Sequence, residues 1–355
     1  MTGVAEVTQP GSATLAGYRR LVWRRAAILI LLAAACVLSA ATDLAVGPSG
    51  VGWREALAVL LDPGGAGGRS HIIVWTIRLP GVVTALLVGA GLSLAGAEMQ
   101  TILNNPLASP FTLGVSSAAS LGAAFAIVLG LGIPGLPGHW MLFGNAFLFA
   151  FGSVLLLQAL ARLNGAGSET LVLLGIALVF TFNAAVAVLQ FIASQEALQQ
   201  LVFWTMGSLA RTDWDKTAVL AVTVAVVVPF SLRASWPMTA LRLGEDRALS
   251  LGVNVGRLRF GALLRVSLLA ATAVASVGTI GFIGLVGPHI ARMLVGEDHR
   301  FFLPASLLTG ACLLSLSSIL SKMLVPGVLM PVGLVTSLIG LPFFIVLILN
   351  RRGRA

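Results

Sequence analysis

Long apolar stretches alternate with short polar ones along almost the whole chain. Most approach the ~20 residues that an α-helix needs to cross ~30 Å of hydrocarbon. Taken in order, they predict spans at roughly 26–46, 79–103, 115–133, 140–163, 171–193 and 218–232. The apolar block 260–295 is too long for one crossing. Gly278, Gly281, Gly284, Gly287 and Pro288 place a turn near 277–279, which divides it into a seventh and an eighth span. A ninth follows at 302–323 and a tenth at 332–350. The second span is full of small residues, Gly89, Gly91, Ser93, Ala95, Gly96 and Ala97, which let helix backbones approach closely where lipid gives no hydrophobic drive.

The polar pieces between these runs are brief. Residues 47–77 and 195–211 are expected outside, each with a short amphipathic helix. Residues 104–110 (NNPLASP) and 164–170 (NGAGSET) are expected as inner loops. The piece with the most internal order is 242–254, RLGEDRALSLGVN. Gly244 opens it, and Glu245 and Asp246 suit a helix start, where unpaired N–H groups favour negative charge. Arg247 follows, then Ala248, Leu249 and Leu251, which form an apolar face. Gly252 suits a helix stop. A short helix lying outside the membrane is expected here.

Composition agrees. The 355 residues are 57% hydrophobic and 10% charged, against about 25% charge in soluble domains. Continuous apolar runs exclude barrel strands, and open sheet edges do not survive in lipid. The expected fold is an all-α polytopic membrane protein of about ten helices. Its domain runs from 26 to 350, between tails at 1–25 and 351–355. The net charge of +9 does not indicate nucleic acid, because the arginines sit at the ends of apolar runs. By this assignment 16 of the 22 Lys and Arg residues lie on one side, which places both termini in the cytoplasm. Cys36 and Cys312 lie inside apolar runs and read as small fillers, without disulfide or metal spacing.

Candidate chemistry is sparse. No phosphate-binding loop of the form GxxxxGK[ST] occurs; residues 47–52 lack its lysine. Ion-coupled carriers keep ionisable groups at mid-membrane depth. The candidates here are Glu98, read as a hydrated or paired carboxylate, and His289, read as a packing residue. An ion-coupled secondary carrier is therefore the alternative of a different class, and a membrane enzyme would need a constellation that is not seen. What remains is a chain that shapes a path and takes its energy from elsewhere. The segment 240–255 then becomes a coupling loop, with Leu243, Gly244, Glu245, Asp246, Arg247, Ala248, Leu251 and Gly252 meeting an energy-supplying partner.

Several motifs in order carry a family resemblance. They are Arg78-Leu79-Pro80, LLVGAGLSLAGAEMQ at 86–100, Asn105-Pro106-Leu107-Ala108 with Leu113-Gly114-Val115-Ser116, and WTMGSL at 204–209. Leu243-Gly244-Glu245 with Ser250-Leu251-Gly252-Val253, GFIGLVGPH at 281–289 and PVGLVTSLIGLP at 331–342 complete the set. Together these resemble the permeases of iron–siderophore, haem and cobalamin ABC importers. The resemblance implies a type II importer permease in the bacterial inner membrane, with ten spans and a second permease copy or paralogue. It further implies two cytoplasmic ATPase subunits that carry ATP and Mg, and a periplasmic or lipid-anchored binding protein. No cofactor, metal or catalytic residue is expected on this chain. Asn105 and Leu107, with Ser168 and Thr170, match two cytoplasmic gates. Arg78 and Lys322 match positions that dock the binding protein, while Gly81 and Leu329 depart from charged residues seen there in relatives. The implied cargo is a ferric siderophore, with haem or cobalamin as the alternative.

Overall fold

The computed structural model describes residues 12–47, 50–62, 68–163, 168–325 and 327–351. The expected tails before Ser12 and after Arg351, most of the 164–170 loop and the turn residue Pro326 lie outside these ranges. The described chain is helical: α1 (Ser12–Ala45), α2 (Trp53–Leu61), α3 (Arg69–Ile72), α4 (Leu79–Ile102), α5 (Val115–Leu129), α6 (Gly138–Leu163), α7 (Ser168–Ile192), α8 (Gln195–Thr205), α9 (Trp214–Arg233), α10 (Ser235–Leu241), α11 (Glu245–Ser250), α12 (Val255–Val277), α13 (Ile283–Val295), α14 (His299–Met323) and α15 (Val332–Arg351). Seven helices are long and apolar enough to span a membrane, and α5, α13 and the first part of α15 are shorter apolar helices. Ten apolar helices among the described residues match the ten expected spans.

Two differences have local causes. α1 begins at Ser12, ahead of the expected span, so Arg19, Arg20, Arg24 and Arg25 ride on a helix rather than in a tail. Nothing in Leu15-Ala16-Gly17-Tyr18 stops a helix that the apolar run already nucleates. α10 was not expected, because Pro237 falls in it. Pro237 sits in the helix's first turn, where its missing N–H costs nothing.

α4 is the centre of the bundle, with α1, α9, α12, α13 and α14 packed around it. From Val88 to Ile102 it is buried throughout. Its small residues permit this. A methyl group on Gly89 would overlap the carbonyl of Gly310 in α14, and one on Gly96 would overlap the carbonyl of Gly284 in α13. Between them, Ser93 Oγ donates to the Ser306 carbonyl at 2.6 Å. Such backbone contact is how apolar helices associate in lipid. α12 and α13 are separated at Gly278 (φ +82°) and Phe282 (φ +67°). A side chain on Gly278 would strike the Trp204 carbonyl, so this turn requires glycine for space as well as for conformation.

Two buried ion pairs hold the bundle. Glu98 in α4 is fully buried and accepts from Arg265 Nε in α12, at 3.0 Å to each carboxylate oxygen. Arg265 Nη2 also comes within 2.9 Å, but its N–H is not aligned, so Nε carries the hydrogen bonding. Asp43 in α1 takes Lys322 Nζ at 2.7 Å and Ser318 Oγ at 2.9 Å, both from α14. Removing one member of a buried pair strands the other charge, at about 3–5 kcal/mol. Glu98→Gln should therefore lower the melting temperature of the detergent-purified protein. The double variant Glu98→Gln/Arg265→Gln should recover part of the loss; equal melting of single variant and wild type would contradict the pairing.

The two cysteines, expected as unrelated fillers, meet across α1 and α14. Both are free thiols, with Sγ atoms 2.9 Å apart. Dioxygen with a copper catalyst should join them in the native protein. The check is a disulfide-linked peptide by mass spectrometry without reductant, lost on reduction and absent in Cys312→Ser.

Candidate coupling face and gate

α11 begins and ends on glycine for conformational reasons. Gly244 has φ +108° and Gly252 φ +80°, values that side chains disfavour. At the C-terminal end Val253 N–H donates to the Ala248 carbonyl at 3.0 Å and Gly252 N–H to the Leu249 carbonyl at 2.9 Å. This is a Schellman closure, which satisfies carbonyls that a helix end leaves open. One face of α11 is anchored: Ala248 is fully buried in a small cluster with Ala240, Leu241, Val253 and Val255. Around it lie exposed leucines, one before the helix, one on it and one at its C-cap. Leu243, Leu249 and Leu251 are 56%, 54% and 51% exposed.

The anchoring is also ionic. Glu245 takes both terminal nitrogens of Arg259, at 3.2 and 2.7 Å, a bidentate geometry that fixes orientation as well as distance. Arg259 Nε also donates to the Ile102 carbonyl at the end of α4, at 3.3 Å. Arg242 pairs with Glu297 and donates to Asn104 Oδ1 at 3.1 Å. Glu297 also takes Arg292 Nε at 3.1 Å, and Arg292 donates to Gln100 Oε1 at 2.9 Å. His299 hydrogen-bonds through its two ring nitrogens to Thr101 (2.8 Å) and Thr239 (3.1 Å). α11 is thus tied directly to α12, and the α10 segment before it to the ends of α4, α13 and α14. Next to Glu297, Asp298 caps α14 by accepting from Arg300 N–H at 3.1 Å. The Arg300 guanidinium holds the Asp298 carboxyl below the ordinary carboxylate range, against the opposing effect of burial. A depressed value means that the cap contributes stability above the unfolded-state pKa and loses it only as pH falls through the folded one.

The expected gate residues Asn105 and Leu107 follow Asn104 directly. Asn105 Oδ1 accepts from Leu107 N–H at 2.9 Å, an Asx turn that shapes the loop. Both residues line a cavity of about 340 Å³ shared with Phe111 and with Ile176 and Val179 of α7. Thr170 lies half-buried on the first turn of α7; Ser168 opens that helix, and its side chain is outside the described set. The hydrogen bond from Arg242 to Asn104 joins coupling face and gate loop. Arg242, Arg259, Arg292 and Glu297 were not singled out from sequence. Their only signal there was charge at the ends of apolar runs.

Arg78 and Lys322 lie at the opposite end of α4, about 36 Å away for 24 residues. Both positions, expected to dock a binding protein, also have partners inside the chain. Arg78 is 6% exposed and donates to the carbonyls of Leu44, Ala45 and Val51, at 2.9, 3.2 and 3.1 Å. Lys322 is held by Asp43. Both hold the end of α1, Arg78 joining it to Val51, and both line a cavity of about 220 Å³. Burial in an apolar setting makes internal partners the favourable arrangement for both cations.

A helical bundle of ten apolar segments, with one short helix bordered by exposed leucines at one end, defines a multi-pass membrane protein. The chain belongs to the FecCD transport family, a family of ABC transporter permease subunits, whose sequence model matches residues 28–350. It is 39% identical over 280 residues to the hemin transport system permease protein HmuU of Yersinia pestis, covering 79% of this chain and 84% of that one. It is 36% identical over 326 residues to the Fe(3+) dicitrate transport system permease protein FecD of Escherichia coli, covering 92% and 99%. Other relatives are named for vitamin B12 and molybdate import. A solved inward-facing conformation of a metal-chelate type ABC transporter matches with a TM-score of 0.80 and 33% identity, over 91% of this chain and 99% of that one.

Proposed function

We propose that this chain is the permease subunit of a binding-protein-dependent ABC importer that passes a ferric siderophore across the bacterial inner membrane. Two separate cytoplasmic ATPase subunits supply the energy, a second permease copy or paralogue completes the path, and a periplasmic or lipid-anchored protein delivers the cargo. Both termini face the cytoplasm. The observation that carries this reading is the α11 region: Ala248 locks the helix to the bundle, while Leu243 before it, Leu249 on it and Leu251 at its C-cap are exposed and available to a partner. The buried carboxylates Glu98 and Asp43 are each matched by a cation, which argues against their use in ion coupling. A path has room at two places. The cavity beside the gate loop and a second of about 350 Å³, edged by Ser116, Thr279 and Ser337, share Phe111 as a wall.

The preference for a siderophore follows relatives named for ferric dicitrate and iron chelatin transport. Relatives named for hemin and vitamin B12 favour haem or cobalamin as the second reading. The test is uptake into liposomes holding the permease, its ATPase and an external binding protein loaded with radiolabelled iron chelate. Uptake should require internal ATP and survive collapse of the proton gradient; uptake that follows the gradient alone would refute the reading. What the purified binding protein holds decides between the cargoes.

A further inference from the structure

Where α6, α7 and α12 end beside α11 lies a cavity of about 740 Å³, within the ~300–1,000 Å³ of small-ligand sites. Three arginines line it, Arg162, Arg257 and Arg259, against one carboxylate, Glu245. Arg259 and Glu245 neutralise each other at 2.7 Å. Arg162 lies over the Phe260 ring, 4.7 Å from its centroid, a contact that positions the guanidinium without cancelling its charge. Among the described residues neither Arg162 nor Arg257 has a carboxylate at ion-pair distance. Gln158, 6% exposed, also lines the cavity, and both polar atoms of its amide are buried without a hydrogen-bond partner. Buried amides are seldom left so. Leu171 and Leu263 make the adjoining wall apolar.

The geometry points to a binding site for the phosphate headgroup of an anionic phospholipid, with phosphatidylglycerol as the probe. Phosphate oxygens accept from the two uncompensated guanidiniums and from the Gln158 amide N–H. The apolar wall takes the glycerol and the first carbons of the acyl chains, for which a free phosphate ion has nothing to offer. Helix ends lie at headgroup depth, where basic pockets between spans attract anionic lipid. Occupancy has a consequence for α11, because Arg259 borders this cavity while it holds Glu245. A phosphate that draws on Arg259 loosens the first turn of α11, so lipid composition tunes the coupling face. That consequence rests on the function proposed above; the binding itself does not.

Native mass spectrometry of the full-length protein, released from phosphatidylcholine nanodiscs doped with phosphatidylglycerol, reads binding directly. Wild-type protein should retain phosphatidylglycerol. R257Q, at an exposed residue that folding does not need, should lose about fivefold in apparent affinity, and R162Q/R257Q roughly thirtyfold. R162K/R257K, which keeps both charges, should recover most of it. Equal retention by the wild type, R257Q and R162Q/R257Q would overturn the proposal. Displacement of the lipid by inorganic phosphate alone would overturn it too, marking a free-anion site. Loss of ATPase co-purification in R257Q with lipid retention intact would instead assign this face to a protein partner.

Discussion

Gly96→Val should yield no stably folded protein. The position lies where α4 touches α13, and any Cβ there would overlap the Gly284 carbonyl. In soluble cores, overpacking costs about 1–3 kcal/mol because neighbouring side chains shift. Here the obstructing atom is backbone, and Gly89 and Gly310 fix the next contact on the same helix, so α4 has nowhere to slide. Close packing is also the main force between apolar helices in lipid. The loss should therefore exceed that range and take a large part of a total stability of about 5–15 kcal/mol. Size-exclusion chromatography and thermal melting in detergent check this. Gly152→Ala, where nothing stands within 4 Å, is the matched control and should be silent. A monodisperse Gly96→Val protein with wild-type melting would show that α4 and α13 do not meet in this way.

The contrast between those two glycines shows what a sequence of this kind reveals. Hydropathy gives depth in the membrane, and the ten apolar segments were legible because length and continuity are read along the chain. The α11 helix was legible for the same local reason: Gly244, Glu245 and Gly252 signal start and stop within a few positions. Azimuth was not legible. Whether Glu98 faces Arg265, or Cys36 faces Cys312, depends on how helices far apart in sequence rotate against each other. Arg78 illustrates the cost of that blindness. Its place before an apolar run does not reveal that the last residues of α1 and Val51 beyond it supply three carbonyl acceptors. The link from Arg242 to Asn104 was hidden likewise. Both ends looked like solvated loop residues, 138 positions apart.

Deleting residues 245–251 should abolish co-purification of the ATPase and with it all ATP-driven uptake. The deletion removes two of the three exposed leucines, Leu249 and Leu251, and also the Glu245–Arg259 pair, so a sharper test separates contact from fold. Leu249→Asp and Leu251→Asp alter side chains that point away from the bundle, and melting should hardly change. If these leucines fill apolar pockets in the partner, each aspartate should weaken association by about 2–4 kcal/mol, roughly thirtyfold to a thousandfold. Ala248→Leu works from the other side. Ala248 is fully buried against Ala240 and Val253, so a larger side chain lifts α11 while leaving its outer face intact. That variant should keep the ATPase bound yet lose uptake per ATP consumed, because force then reaches Arg242, Asn104 and the gate loop poorly. A fully coupled transporter built on the 245–251 deletion would mean that motion enters the bundle elsewhere, and the exposed leucines would then need another partner.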